Sequence, residues 1–348
     1  MRQPTPDRQA TPPSRRAGPP PWRNARILAA AAQVVVLAAV AGGLWAATLA
    51  LRASFARQNI RLDWGVFTQP AGFELSALTV TLDLQTLHLK PFEPTDSNAE
   101  AIIAGLFNTV QVAVVGVVLA TALGVLVGVA RLSRNWLVAR LSLAYVEALR
   151  NTPLLVQLFF WYFAVFLQLP DGSPARPPLR AGPVTLTNSG LAVGGQVVER
   201  FGRLVVDGGY QLPPELAALV IGLAVYTSAF IGEIVRGGIL AVPRGQMEAA
   251  RSLGLTYGQA LRHVVLPQAF RIVIPPLGNQ FLNLTKNSSL AIGIGYAELL
   301  TAANTVSSQS FRSLEAFTVV TLAYLALSLS IAAALNLVRA RLALPGTL

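Results

Sequence analysis

Residues 248–267 read EAARSLGLTYGQALRHVVLP. The stretch lies between long apolar segments, yet it carries Glu248, Arg251, Arg262 and His263 and cannot itself lie in hydrocarbon. Leu253, Leu255, Ala260, Leu261, Val264 and Val265 recur at helical spacing and predict one apolar side. Gly254 falls in the middle, where a residue without Cβ can turn the chain sharply between two short helices. Pro267 is expected to end the second helix, because it lacks an N–H and crowds the preceding turn. A charged helix–glycine–helix between membrane spans is either an amphipathic loop lying on the bilayer or a handle gripped by a partner in water. The residues by themselves leave both readings open.

The rest of the composition says what surrounds that handle. Of 348 residues, 53% are hydrophobic and only 12% charged, with a mean hydropathy of +0.54. A soluble domain carries about 25% charged residues, so half that figure with long uncharged runs means an integral membrane protein. The net charge of +11 does not point to nucleic acid, because the basic residues flank apolar segments instead of forming one face with interleaved aromatics. The absence of cysteine excludes disulfides, thiolate metal sites and cysteine nucleophiles. His88 and His263 stand far apart without ligand partners at helical spacing, so neither a metal site nor histidine-based catalysis is expected. No GxxxxGK[ST] loop occurs, so energy from ATP has to come from a partner and the chain is not expected to be an enzyme.

Along the chain, residues 1–26 are rich in proline and arginine and predict a disordered tail. Residues 27–51 run without a charge, longer than the about 7–15 residues of a signal core, and predict a retained transmembrane helix. Residues 52–101 mix both charges and are read as an outer segment with a short strand at most near Thr79–Asp83. Residues 102–130 predict a second span, and Arg131, Arg134 and Arg140 mark its inner end. Residues 141–150 predict an amphipathic helix, broken at Asn151-Thr152-Pro153 because a residue before proline avoids helical backbone. Further spans are expected at 153–169, 216–232, 275–296 and 317–338, with loop at 170–213 and a polar turn at 297–316. Pro275-Pro276 marks the start of the fifth. The sum is an all-α integral membrane fold of about six spans with both termini inside.

Polar residues near or within spans are costly and therefore informative. Glu147 and Arg150, like Glu233 and Arg236, are three apart and can meet on one helix face. They are read as helix-end ion pairs at the inner interface, or as a hinge moving with the handle. Asn279, Asn283, Lys286 and Asn287 share one helix face within the polar run 279–289. Lipid cannot satisfy such a face, so it must look into protein or a water-filled path. Lys286 is either a charge for a substrate carboxylate or a structural lysine paired within the protein.

Glu248-Ala249-Ala250, Gly254, Val264 and Leu266-Pro267 resemble, in their spacing, the EAA loop of bacterial ABC importer permeases, with Val264 where isoleucine often stands. Leu149-Arg150-Asn151-Thr152-Pro153-Leu154-Leu155-Val156-Gln157 is similar to the RGTPLLVQ signature of the polar amino-acid branch, with Asn151 replacing glycine. Glu233-Ile234-Val235-Arg236-Gly237-Gly238-Ile239 and Lys286-Asn287-Ser288-Ser289-Leu290 resemble that branch around the loop. The extra first span and Gln69-Pro70-Ala71-Gly72-Phe73 are similar to general L-amino-acid permeases. The resemblance implies a type-I ABC importer transmembrane domain over 102–342: a five-helix core, one added N-terminal helix, and a cytoplasmic coupling loop at 236–271. It implies that Glu248, Ala249, Ala250, Gly254, Leu266 and Pro267 couple to an ABC ATPase subunit carrying ATP-Mg. It also implies a second permease subunit, identical or not, a periplasmic amino-acid-binding protein, and a place in the bacterial inner membrane. The alternatives are an ion-coupled secondary amino-acid transporter, which needs carboxylates near the bilayer midplane, and a scaffold that moves nothing.

Overall fold

In hydrocarbon a backbone finds hydrogen-bond partners only within itself, so long uncharged runs become helices. The computed structural model describes residues 25–57, 62–75 and 79–342; the expected N-terminal tail lies, up to residue 24, outside them. The chain forms two units, Met1–Leu62 and Asp63–Leu348. In the first, α1 (Ala25–Arg57) is apolar all round and outruns the predicted span at both ends.

In the second unit, α2 (Asn98–Ala130) opens on a capping box. The Ser97 N–H donates to Glu100 Oε2 at 2.8 Å, and the Glu100 N–H donates to Ser97 Oγ at 3.3 Å. Next come α3 (Trp136–Asn151) and α4 (Leu154–Phe159), with a π turn at Phe160–Val165 and a 3-10 turn at Phe166–Gln168. The two arms of this broken span bend by 107°. Gln157 holds the bend: its Nε2 donates to Leu149 O at 2.9 Å and to Thr152 O at 3.0 Å. The signature run therefore builds a corner. α5 (Pro214–Leu240) leads to α6 (Arg244–Ser252), α7 (Tyr257–Ala260) and a π turn at Leu261–Val265. α8 (Leu266–Asn287), a 3-10 turn at Ser288–Ile294, α9 (Leu299–Ser310) and α10 (Ser313–Leu342) complete the chain.

Among the described residues four helices are long and apolar enough to cross a membrane, five if the bent pair counts as one span. The remaining predicted span, the fifth in chain order, is α8, whose polar run keeps it out of that set.

α2 and α5 run side by side in the same direction. Their C-terminal halves approach so closely that a Cβ on Gly128 would lie 2.6 Å from Gly232 O. Small residues permit this approach, and dispersion between the backbones rewards it. Leu158, Leu219, Leu223, Ile231 and Leu284 fill the core around this pair. A second cluster, with Ile102, Leu299, Val306 and Val320, ties α2 to α9 and α10.

Several expectations are corrected. Residues 170–213 are not loop. β3 (Leu179–Ala181), β4 (Val184–Thr187), β5 (Gly190–Val193) and β8 (Tyr210–Leu212) make a four-stranded antiparallel sheet in that order, and β6 (Gln196–Arg200) pairs with β7 (Arg203–Asp207) as a hairpin. Phe201 and Gly202 turn that hairpin at φ 50° and 74°, the left-handed backbone a two-residue turn needs. Residues 52–101 hold a second small antiparallel pair, β1 (Val80–Leu82) with β2 (Leu89–Pro91). Residues 297–316 are not merely a turn: α9 buries Leu299, Ala302, Ala303 and Val306. Pro275 and Pro276 stand inside α8 and do not begin it.

Candidate functional site

A nine-residue helix such as α6 does not hold on its own. Val242, Val265 and Ala269 form a buried cluster with Ile239, Met247 and Leu261 packed against it. This clamps the elbow to the last turn of α5 and the first turns of α8. Gln268 Nε2 adds a bond to Gln246 Oε1 at 3.3 Å.

The corner is Gly254, at φ +86°. Its N–H donates to Arg251 O at 3.0 Å and the Leu255 N–H to Ala250 O at 3.2 Å, closing the open carbonyls of α6. A Cβ at Gly254 would meet nothing within 4 Å, so conformation selects glycine here and crowding does not. Thr256 and Gln259 then start α7 with a reciprocal capping box.

Of the predicted coupling residues, Glu248, Ala249, Gly254 and Pro267 are exposed, Leu266 is half-buried and Ala250 is buried. The predicted apolar side holds for Ala260 and Val265, with Leu255, Leu261 and Val264 half-buried. Leu253 departs from it, 84% exposed at the tip. It caps α6 at ψ 9°, so helical spacing no longer sets the direction of its side chain. Pro267 does not end a helix. It sits in the first turn of α8, directly after the π turn. There a missing N–H costs nothing, and the wider preceding turn leaves room for the ring.

The ion-pair predictions divide. Glu233 meets Arg236 as expected, with Nη2 at 3.1 Å and Nε at 3.3 Å from the carboxylate. It also pairs with Arg131, which caps the C-terminus of α2. Sequence reasoning read Arg131 only as an inner-face marker, because pairing across distant helices leaves no local signal. Glu147 and Arg150 do not pair with each other among the described residues. The Arg150 guanidinium instead lies 5.1 Å above the Phe230 ring, since spacing permits a pair but stacking on an aromatic competes for the same side chain.

On α8, Asn279, Asn283 and Lys286 are exposed and Asn287 half-buried, while Gly278, Leu284 and Thr285 turn inward. The four do share one face, which looks away from the chain's own core. Lys286 lines a hollow of about 320 Å³ with Ser289, Tyr324, Leu325 and Ser328.

Glu298 was missed. It is fully buried, accepts from Tyr324 Oη at 2.7 Å and the Thr301 N–H at 2.9 Å, and lies 3.4 Å from Thr109 Oγ1. It joins α2, α9 and α10 at the end opposite the elbow. The legible signal was a carboxylate just before an apolar helix start, the N-cap pattern.

The family described as binding-protein-dependent transport system inner membrane component matches residues 101–344. The chain belongs to that family. As a member it is a multi-pass inner membrane protein with the type-I ABC importer permease fold. The General L-amino acid transport system permease protein AapQ of Rhizobium johnstonii is 35% identical, over 90% of this chain and 91% of that one. The Probable glutamine ABC transporter permease protein GlnM of Bacillus subtilis is 36% identical, over 70% and 94%. A solved amino acid ABC transporter with histidines shares 29% identity with a TM-score of 0.54, over 70% of this chain and 94% of its own. The elbow, the ion pairs and the polar face all lie inside the family's residues; α1 and the β1–β2 pair precede them.

Proposed function

We propose that this inner membrane component is the permease subunit of an ATP-driven importer of L-amino acids. A separate ABC ATPase, holding ATP-Mg, grips the elbow at Glu248, Ala249, Ala250, Gly254, Leu266 and Pro267. A second permease subunit, identical or not, faces the polar side of α8, and a periplasmic amino-acid-binding protein delivers substrate. Both termini lie on the cytoplasmic side.

One observation carries this reading: α8 runs unbroken from the elbow at Leu266 to the polar face ending at Asn287. Displacement at the elbow therefore reaches Asn279, Asn283, Lys286 and Asn287 through one continuous helix. The Glu233–Arg131 pair ties α5 to the end of α2 beside it, and Arg236 holds the same carboxylate from within α5. The substrate class follows from the relatives, whose names are amino-acid permeases.

The test is reconstitution with the ATPase, second permease and receptor in proteoliposomes loaded with ATP. Labelled L-amino acid is expected to accumulate only with ATP and all partners present. Uptake driven by an ion gradient, by this chain without ATP, would overturn the proposal.

A further inference from the structure

Lys286 stands in the last turn of α8, exposed from the chain's own core, and no carboxylate pairs with it among the described residues. Across a hollow of about 320 Å³ it faces Tyr324, Leu325 and Ser328 of α10. Those three sit near the middle of the membrane-crossing stretch Ser313–Val338. An ammonium at that depth is costly unless water or an anion meets it. No carboxylate lines the hollow, so its charge is one-sided and selects an anion.

The rest of the wall narrows the class of anion. Ser289 Oγ donates its proton to Lys286 O at 2.8 Å, which leaves lone pairs for a ligand. Ser328 brings a second hydroxyl from α10, one turn beyond Tyr324 and on the same helix face. Tyr324 brings an aromatic ring, whose π face attracts cations. The hydroxyl of that ring is already committed: it donates to the fully buried Glu298 at 2.7 Å, which fixes the ring in place. One cation beside hydroxyl lone pairs and an aromatic ring is the complement of a carboxylate next to an ammonium. The volume suits a small ligand, for which sites of about 300–1,000 Å³ are usual.

We propose that this hollow holds the main-chain zwitterion of the transported L-amino acid. The carboxylate lies on Lys286, and the ammonium against Ser289, Ser328 and the Tyr324 ring. The side chain of the amino acid is left to the open side, so the site reads groups that α-amino acids share. Glu298 is a positioning residue, acting through Tyr324 alone. The site deepens the importer reading given above and rests on it.

Ser328→Cys places a thiol in the hollow of this cysteine-free chain. In the assembled transporter in proteoliposomes, without receptor, its reaction with a soluble thiol reagent is followed by mass spectrometry of this chain. L-glutamine, on both sides of the bilayer, is expected to slow the reaction. L-glutamine α-amide, which lacks the carboxylate, and N-acetyl-L-glutamine, which lacks the ammonium, should leave the rate unchanged. With Lys286→Gln added, half-protection should need about tenfold more glutamine, the loss of one charge-assisted contact. Glu298→Gln, whose amide oxygen still accepts from Tyr324, should keep the protection. Glu298→Ala, or Tyr324→Phe where that variant does not assemble, should raise the glutamine needed severalfold. No protection by glutamine, equal protection by either analogue or by inorganic phosphate, or protection indifferent to Lys286→Gln would overturn the site. Equal loss in Glu298→Gln and Glu298→Ala would overturn the positioning role. ATP-driven uptake by the unsubstituted assembly is measured separately. Uptake without protection sinks the site alone, and absence of uptake sinks the importer reading on which it rests.

Discussion

Gly254 shows how much one residue can be asked to do. Its φ of +86° costs an L-residue with a Cβ about 1–2 kcal/mol, while the space around it is open. The prediction therefore turns on backbone conformation. Gly254→Ala should leave membrane insertion intact and lower ATPase co-purification severalfold; Gly254→Asn should lower it less, because asparagine tolerates the left-handed region. If Gly254→Ala retains the ATPase as well as the parent does, the corner's shape is not what the partner reads. The glycine, the apolar residues buried beneath it and Glu233–Arg236 were legible in the sequence, because each depends on neighbours within a turn or two. Leu253, Arg131 and Arg150 were not: the first left the helix, and the other two took partners from helices distant in sequence.

At the level of elements, the decisive contact is α2 against α5. A Cβ on Gly128 would press within 2.6 Å of a backbone oxygen, which cannot swing aside as a side chain can. Gly128→Ala should therefore lower thermal stability, by about 1–3 kcal/mol of overpacking. Gly237→Ala, where a Cβ meets nothing within 4 Å, should be neutral or gain up to about 1 kcal/mol from helix propensity. Equal melting temperatures for the two variants would show that the helices do not pack this closely. The strands at 170–213 were missed at this same scale. Their residues alternate, but the runs are three to five residues long and broken by Pro and Gly, so each alone looked like loop. Only mutual pairing makes them a sheet.

For the molecule as a whole, α8 joins the elbow at Leu266 to the polar face ending at Asn287, with Glu233 and Arg236 on the neighbouring α5. In this cysteine-free chain, Asn283→Cys offers a single thiol on the polar face of α8, which the importer proposal places along the translocation path. In the assembled importer, transported amino acid is expected to slow its reaction with a soluble thiol reagent. An unchanged rate with and without substrate would remove the face from the pathway. What the sequence determined by itself was whatever follows from local chemistry: the membrane class, the long apolar spans, the elbow with its glycine, and a polar helix face that lipid cannot satisfy. What only the tertiary structure decided was continuity and partnership. Pro267 and Pro275-Pro276 read as breaks, because proline's missing N–H is a local fact. The helix passes through them because packing along α5 and the π turn ahead of Pro267 support a backbone that neighbouring residues alone would not.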